Sequence, residues 1–294
     1  MKKSAFTLIE IVMVIVILGI VAMMGTDIIA KMYEGYIKSK VVNKLQTRTD
    51  QVLDIIAKRL SYRIKDSVVT SKNGTNYLKL SEPGITVDHN ILEWIGYDNE
   101  GMIGEWDGNR STGWSGFIDL DDNATNTRSQ VRTSGSRLDL AKNSIDALSY
   151  GSVNFSSNTG GVGLISKCNY DMNLKSYGFD GGAGSNIKGV GISTNDILSV
   201  NNTQPIDYCE QYYLSWTAYA IVPESNSEDF NLTLRYNYRP WNGDKYNDAN
   251  TKKEVLAEHV STFRFIQTGH TIRVKLCIKD PQTTYGFCKE RAIY

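Results

Sequence analysis

One carboxylate, Glu10, stands in an otherwise apolar run at residues 6–24 of this 294-residue chain. As a helix the run is about 28 Å long, at about 1.5 Å per residue, close to the thickness of a bilayer core. A carboxylate at that depth costs roughly 2.5–3.5 kcal/mol on insertion scales, so it normally has a partner. No Lys, Arg or His lies in the run, and the partner must come from elsewhere. Four cysteines, Cys168, Cys209, Cys277 and Cys288, form a second set and allow three disulfide connectivities. Cys277 and Cys288 flank a segment with a turn at Pro281 that reads as a hairpin. A bridge closing it leaves Cys168 to pair with Cys209. No Cys-x-x-Cys pair is present, which argues against a four-thiol zinc site.

The stretch Asp119-Leu120-Asp121-Asp122-Asn123 gathers oxygen ligands in the manner of the start of a calcium loop. Ala124 stands where that loop needs glycine, and Gln130 stands where it needs glutamate, so it fails as an EF-hand. Asp119, Asp121 and Asn123 are the candidate calcium ligands, set against a solvated acidic turn; no other cofactor is expected. Asp121-x-Asn123-x-Thr125 and Asp229-x-Asn231-x-Thr233 match an acidic N-glycosylation sequon. The three histidines, His89, His259 and His270, are far apart in sequence. There is no Gly-x-Ser-x-Gly, no His-Glu-x-x-His and no phosphate loop. The chain therefore reads as a non-enzyme, with no catalytic residue assigned.

The elements that carry these residues follow from patterning. Basic and acidic side chains number 32 each, so the charge balance gives no reason to expect nucleic acid as a partner. Lys2 and Lys3 precede the apolar run, which places the N-terminus in the cytoplasm and everything beyond about residue 30 outside it. Disulfides are expected in that compartment. As a secretory signal the run is too long, and residues 23–27 make a poor cleavage site. Beyond Asp27 the pattern turns amphipathic. Val42, Leu45, Val52, Leu53, Ile56, Leu60 and Ile64 recur at spacings of three, four and seven. No proline interrupts, and the pattern predicts one helix over 6–66, about 90 Å long.

Asn73-Gly74 signals a tight turn between strands. Residues 91–97 read as a buried strand or short helix. Residues 106–109 and 113–119 read as turns flanking short strands, and 179–186 as a loop. Residues 213–222, 231–238, 260–267 and 271–278 read as strands, the last two joined by Thr268-Gly269-His270. Leu232, Leu234, Tyr236 and Tyr238 alternate with Asn231, Thr233, Arg235 and Asn237, as in a half-buried strand.

Ser4-Ala5-Phe6-Thr7-Leu8-Ile9-Glu10 resembles the class III leader of type IV pilins and type II secretion pseudopilins. The resemblance implies cleavage by a prepilin peptidase between Ala5 and Phe6, with methylation of the new Phe6 amine. It implies further that Glu10, now the fifth residue, pairs with the Phe6 amine of a neighbouring subunit. That amine stays cationic after methylation, and two buried charges that are each expensive alone largely cancel when paired. The family usually has glycine before the cut, where this chain has Ala5. It also often has a proline farther along the helix, where this chain has only Gly19 and Gly25. A weaker likeness to J-type minor pseudopilins rests on Leu256, Val260, Phe263 and Phe265.

The expected fold class is α+β: a long N-terminal helical stem packed on a C-terminal antiparallel β-sheet domain. The expected divisions are a leader at 1–5, a membrane or filament-core helix at 6–30, an amphipathic stem at 31–66 and a β-rich periplasmic domain at 67–294. The resemblance implies a minor subunit of a type II secretion pseudopilus, anchored once in the inner membrane with its C-terminus in the periplasm. Its implied partners are other pilin or pseudopilin subunits, the prepilin peptidase, membrane lipid and an assembly platform. The alternatives are a minor pilin for adhesion, motility or DNA uptake, and a ligand-binding domain tethered by a pilin stem.

Overall fold

With no proline before Pro83, nothing interrupts helical hydrogen bonding, and a single 54-residue helix, α1 (Leu8–Ser61), leads the chain. It runs unbroken through Gly19, Gly25 and Gly35, around which there is open space. The computed structural model describes residues 7–104, 111–125, 129–168, 173–182, 184–201, 209–225 and 229–294. The helix ends at Ser61, five residues short of the expected end at 66. There the chain is captured by a strand: Ile64 N–H donates to Ile95 O (2.8 Å) and Tyr97 N–H donates to Tyr62 O (2.9 Å). Arg63, itself buried, locks the exit by donating to the carbonyls of Leu60 (2.8 Å), His270 (3.1 Å) and Tyr294 (3.3 Å).

Among the described residues thirteen strands and two short α-helices follow: β1 (Val69–Lys72), β2 (Thr75–Lys79), β3 (Ile91–Gly96), α2 (Asn99–Ile103), β4 (Gln130–Arg132), α3 (Leu138–Leu148), β5 (Gly163–Ser166), β6 (Ile187–Thr194), β7 (Ile197–Val200), β8 (Tyr212–Ser215), β9 (Thr217–Ser225), β10 (Phe230–Tyr238), β11 (Lys252–Thr268), β12 (Thr271–Lys279) and β13 (Gly286–Ile293). Eight form one antiparallel sheet in the order β13-β12-β11-β10-β9-β3-β1-β2; five form a second in the order β4-β7-β6-β5-β8. The second sheet and both short helices lie in the sequence between β3 and β9, which are neighbours in the first.

The C-terminal half of α1 lies over β13, β12, β11 and β3. Leu45, Val52, Leu53, Ile56 and Leu60 form its buried face, against Trp94, Ile221, Val274 and Leu276. Those helix positions are the ones the amphipathic spacing selected. The other face of the large sheet buries Ile91, Ile95, Tyr238, Trp241 and Phe179. The small sheet has its own core around Trp114, Phe155, Leu198 and Tyr212, with α3 contributing Leu138 and Ile145.

Several sequence expectations are corrected here. The strand expected at 213–222 is two strands in two sheets: β8 ends at Ser215 and β9 begins at Thr217, with buried Trp216 between them. β11 begins eight residues earlier than expected and carries His259 at φ 57° within it. Register slips on either side of that residue, so it is a bulge, which re-aims the strand. Helix α3 lies in a stretch to which the sequence patterning assigns no element. The turns at Asn73-Gly74 (φ 50° and 74°) and Gly269 (φ 59°) are in the left-handed region, as tight hairpins of this kind require.

Candidate assembly interface

The N-terminal half of α1 projects from the sheets without a covering. Every large apolar side chain from Leu8 to Tyr36 is exposed, and the most hydropathic 18-residue window of the helix, mean hydropathy 2.8, has none of its residues buried. Helix amphipathicity explains the contrast. The first half is apolar on all faces and can be satisfied only by lipid or by other helices, whereas the second half has one apolar stripe and one partner sheet. Among the described residues this is the one helix long and apolar enough to cross a membrane. An apolar surface this large marks an interaction surface.

Glu10 sits in the first turn. Its Oε2 accepts from the Thr7 backbone N–H (3.0 Å) and from Thr7 Oγ1 (2.9 Å). The carboxylate thus occupies the positive end of the helix, where negative charge is favoured and N–H groups lack helical partners. Its two hydrogen bonds leave acceptor capacity on a carboxylate that can take about four. A cation brought up by a neighbour could share it without displacing Thr7. Ala5 and Phe6, the expected processing residues, lie outside the described residues.

Residues 1–26 match the family model described as the prokaryotic N-terminal methylation motif. The chain carries a class III prepilin leader. No curated protein and no solved structure matches the chain. The matched residues overlap the exposed part of α1, and the layout is a long helix followed by antiparallel sheet, α+β.

The remaining predicted residues fall elsewhere. Cys277 is bonded to Cys288 directly across β12 and β13, Cα–Cα 4.0 Å, and Cys168 is bonded to Cys209, Cα–Cα 5.8 Å. The first bridge closes a hairpin at the edge of the large sheet. The second joins the ends of β5 and β8, with Ser166 Oγ 3.2 Å from each sulfur.

Of the expected calcium ligands, Asp119 is engaged by hydrogen bonds within its own loop. Asp119 Oδ1 accepts from the Asp121 N–H (3.2 Å), and the Asp119 carbonyl accepts from Thr125 Oγ1 (2.6 Å). Asp122 accepts from the Ala124 N–H and pairs with Arg132 (2.9 Å), which also reaches Asp196 (3.1 Å). The Ala124 N–H first, then Arg132, holds the Asp122 carboxyl below the usual range. Arg132 supplies the positive charge of this loop. Among the described residues no three His, Cys, Asp or Glu side chains are placed to share a metal ion. The segment at 106–109 lies outside the described residues, as does Ala183 of the loop expected at 179–186.

The histidines stay apart: His89 Nδ1 accepts from the Thr86 N–H (3.1 Å), His259 Nδ1 lies 2.8 Å from Asp229, and the carbonyl of His270 accepts from Arg63.

Sequence reasoning missed a second lone carboxylate, Glu93. It lies on β3 in the middle of the large sheet and is 1% exposed. Ser71 Oγ donates to its Oε1 (3.2 Å) and Tyr238 Oη donates to its Oε2 (3.0 Å). Burial pushes its carboxyl up to about 7, against the opposing pull of the Tyr238, Ser71 and Tyr77 hydroxyls. The signal was legible. Ile91-Leu92-Glu93-Trp94-Ile95 is an apolar run with one charge, the same pattern that singled out Glu10. Tyr238 reaches Glu93 through a bulge. Asn237, at φ 64°, is the extra residue between the Tyr236–Tyr219 and Tyr238–Ala218 pairs, so Tyr238 turns to the sheet face opposite the helix.

Proposed function

We propose that this chain is a minor pilin-like structural subunit of a type II secretion pseudopilus. In this reading it is made as a single-pass inner-membrane precursor and cut between Ala5 and Phe6. It is then methylated on Phe6 and drawn into a periplasmic filament through α1. The observation that carries the reading is the methylation motif at residues 1–26, which overlaps an uncovered apolar helix. Lipid covers that surface in the precursor, and the helices of neighbouring subunits cover it in the filament. Glu10 meets the Phe6 amine of a neighbour displaced along the axis. Two charges that would each be costly alone fix the register of one subunit against the next. The sheets then face outward as the part other components touch. The reading assigns the chain a structural role with no turnover.

The deciding experiment is recovery of the C-terminally tagged chain from gently solubilised membranes, with partners identified by mass spectrometry. Other pseudopilins and a secretin-linked platform are the expected partners. An abundant major pilin with a retraction motor in their place would reassign the subunit to a surface fibre. The same sample reports processing: the mature chain should begin at N-methyl-Phe6, and an intact Met1 terminus on functional protein would refute cleavage.

A further inference from the structure

Glu93 forms part of the wall of a cavity of about 220 Å³, which opens on the face of the large sheet opposite α1. Such a volume is below the roughly 300–1,000 Å³ of sites for drug-sized molecules, so the occupant is small. Tyr77 and Phe179 supply an aromatic side, their rings 6.0 Å apart and tilted by 31°. The opposite side is backbone: Gly178 approaches Pro240 so closely that a Cβ there would meet its carbonyl at 2.3 Å. Asp180, also in the wall, is held at φ 56°, an uncommon conformation for a residue with a side chain.

The charges around the cavity determine the sign of its occupant. Asp244 is paired with Arg239 (2.9 Å). Asp180 and Lys245, both exposed at the mouth, offset one another. Glu93 is the buried charge that remains, and among the described residues none of the ion pairs includes it. We propose that this cavity binds an aliphatic cation, an ammonium or guanidinium group on a short alkyl chain, with Glu93 as its counter-ion. The Tyr77 and Phe179 rings lie alongside the bound cation, where aromatic faces attract positive charge. The alkyl chain leads out past Thr75 and Gly74. Tyr238 and Ser71 orient the carboxylate from behind, as donors to the ionised form. Burial holds the empty site's carboxyl near 7, so cation binding at neutral pH expels a proton. This inference is independent of the filament reading, because the cavity lies in the sheet domain and uses no residue of α1.

Full-length protein in detergent micelles should be titrated by calorimetry with n-butylammonium and n-butylguanidinium chloride, and with n-butanol as the neutral control. Saturable binding of the cations, and none of butanol, is expected at pH 8. About tenfold weaker binding is expected at pH 6, where a carboxyl ionising near 7 is about one-tenth ionised. Glu93→Gln should weaken binding at least tenfold with the thermal melt retained. Butanol binding equally well, cations binding Glu93→Gln unchanged, or no binding at all would each overturn the proposal. Should Glu93→Gln fail to fold, the wild-type pH profile decides, because affinity that is flat from pH 6 to 8 excludes Glu93 as the counter-ion. Two further probes separate the source of the cation. Binding of acetyl-lysinamide points to a side chain of a partner polypeptide. Binding of cadaverine with acetyl-lysinamide excluded points to a free diamine.

Discussion

At Glu10 the carboxylate accepts two hydrogen bonds from Thr7, one of them from the backbone N–H. Replacing it by alanine removes the charge but leaves the apolar run intact, so membrane insertion should be unaffected. In a filament the same change would leave a neighbour's amine buried and unpaired, which costs about 3–5 kcal/mol. We expect Glu10→Ala to reach the membrane at wild-type level and to enter filaments at least about tenfold less, measured by immunoblot of sheared filaments against membranes. Equal incorporation would remove Glu10 from assembly. Glu93 gives a different prediction. Its folded-state carboxyl holds its proton up to about 7, against an ordinary 4.5. The folded chain is therefore favoured below about 4.5, and this contribution is lost as pH rises towards 7. The loss is on the order of 3 kcal/mol across the window. Glu93→Gln should remove about half of the decline in urea midpoints between pH 5 and 7.5. Asp98, which burial also pushes up to about 7, accounts for the other half, with the same sign. A decline of unchanged size in the variant would show that Glu93 is not its source.

Two neighbours on α1 test the role of the helix as an element. Ile56 is fully buried against the sheet, whereas Ile55 is 44% exposed. Ile56→Ala removes packed methylenes and leaves a cavity, at a cost of 2–5 kcal/mol. Ile55→Ala exchanges an exposed β-branched residue for a better helix former and should change stability by less than about 0.5 kcal/mol. Equilibrium urea unfolding of both variants checks the contrast; equal effects would mean that the helix is not docked on this face. The periodicity of 42–64 made this stripe legible before any coordinates. It could not show where the helix stops, because Tyr62 and Ile64 are claimed by β3, a partner some thirty residues away. Two ion pairs, Lys289–Asp50 (2.6 Å) and Arg291–Asp54, tie the same helix to edge strand β13. Being exposed, they guide register more than they add stability.

For the whole molecule, the division of α1 into an uncovered and a docked half predicts separability. None of the large apolar side chains from Leu8 to Tyr36 is buried. A chain lacking residues 1–36 should be soluble without detergent, and its Tm should lie within about 4 °C of the full-length value in micelles, a change worth about 1 kcal/mol at most. Scanning calorimetry and light scattering test both points. A large drop in Tm would mean that the membrane half supports the sheets. The same chain should not enter filaments, because it lacks both Glu10 and the apolar surface.

The sequence by itself determined the leader, the continuous helix, its buried stripe and the hairpin turns. Each of these depends on local chemistry: a charge in an apolar run, a 3.6-residue period, or glycine and asparagine at positive φ. Tertiary structure alone decided how residues 97–216 build a second sheet from strands as short as three residues, too short for periodicity to speak. It also decided that one apparent strand is divided between two sheets at Trp216, and that a bulge at Asn237 turns Tyr238 onto Glu93. These depend on which distant backbone supplies each hydrogen bond, and no local pattern carries that information.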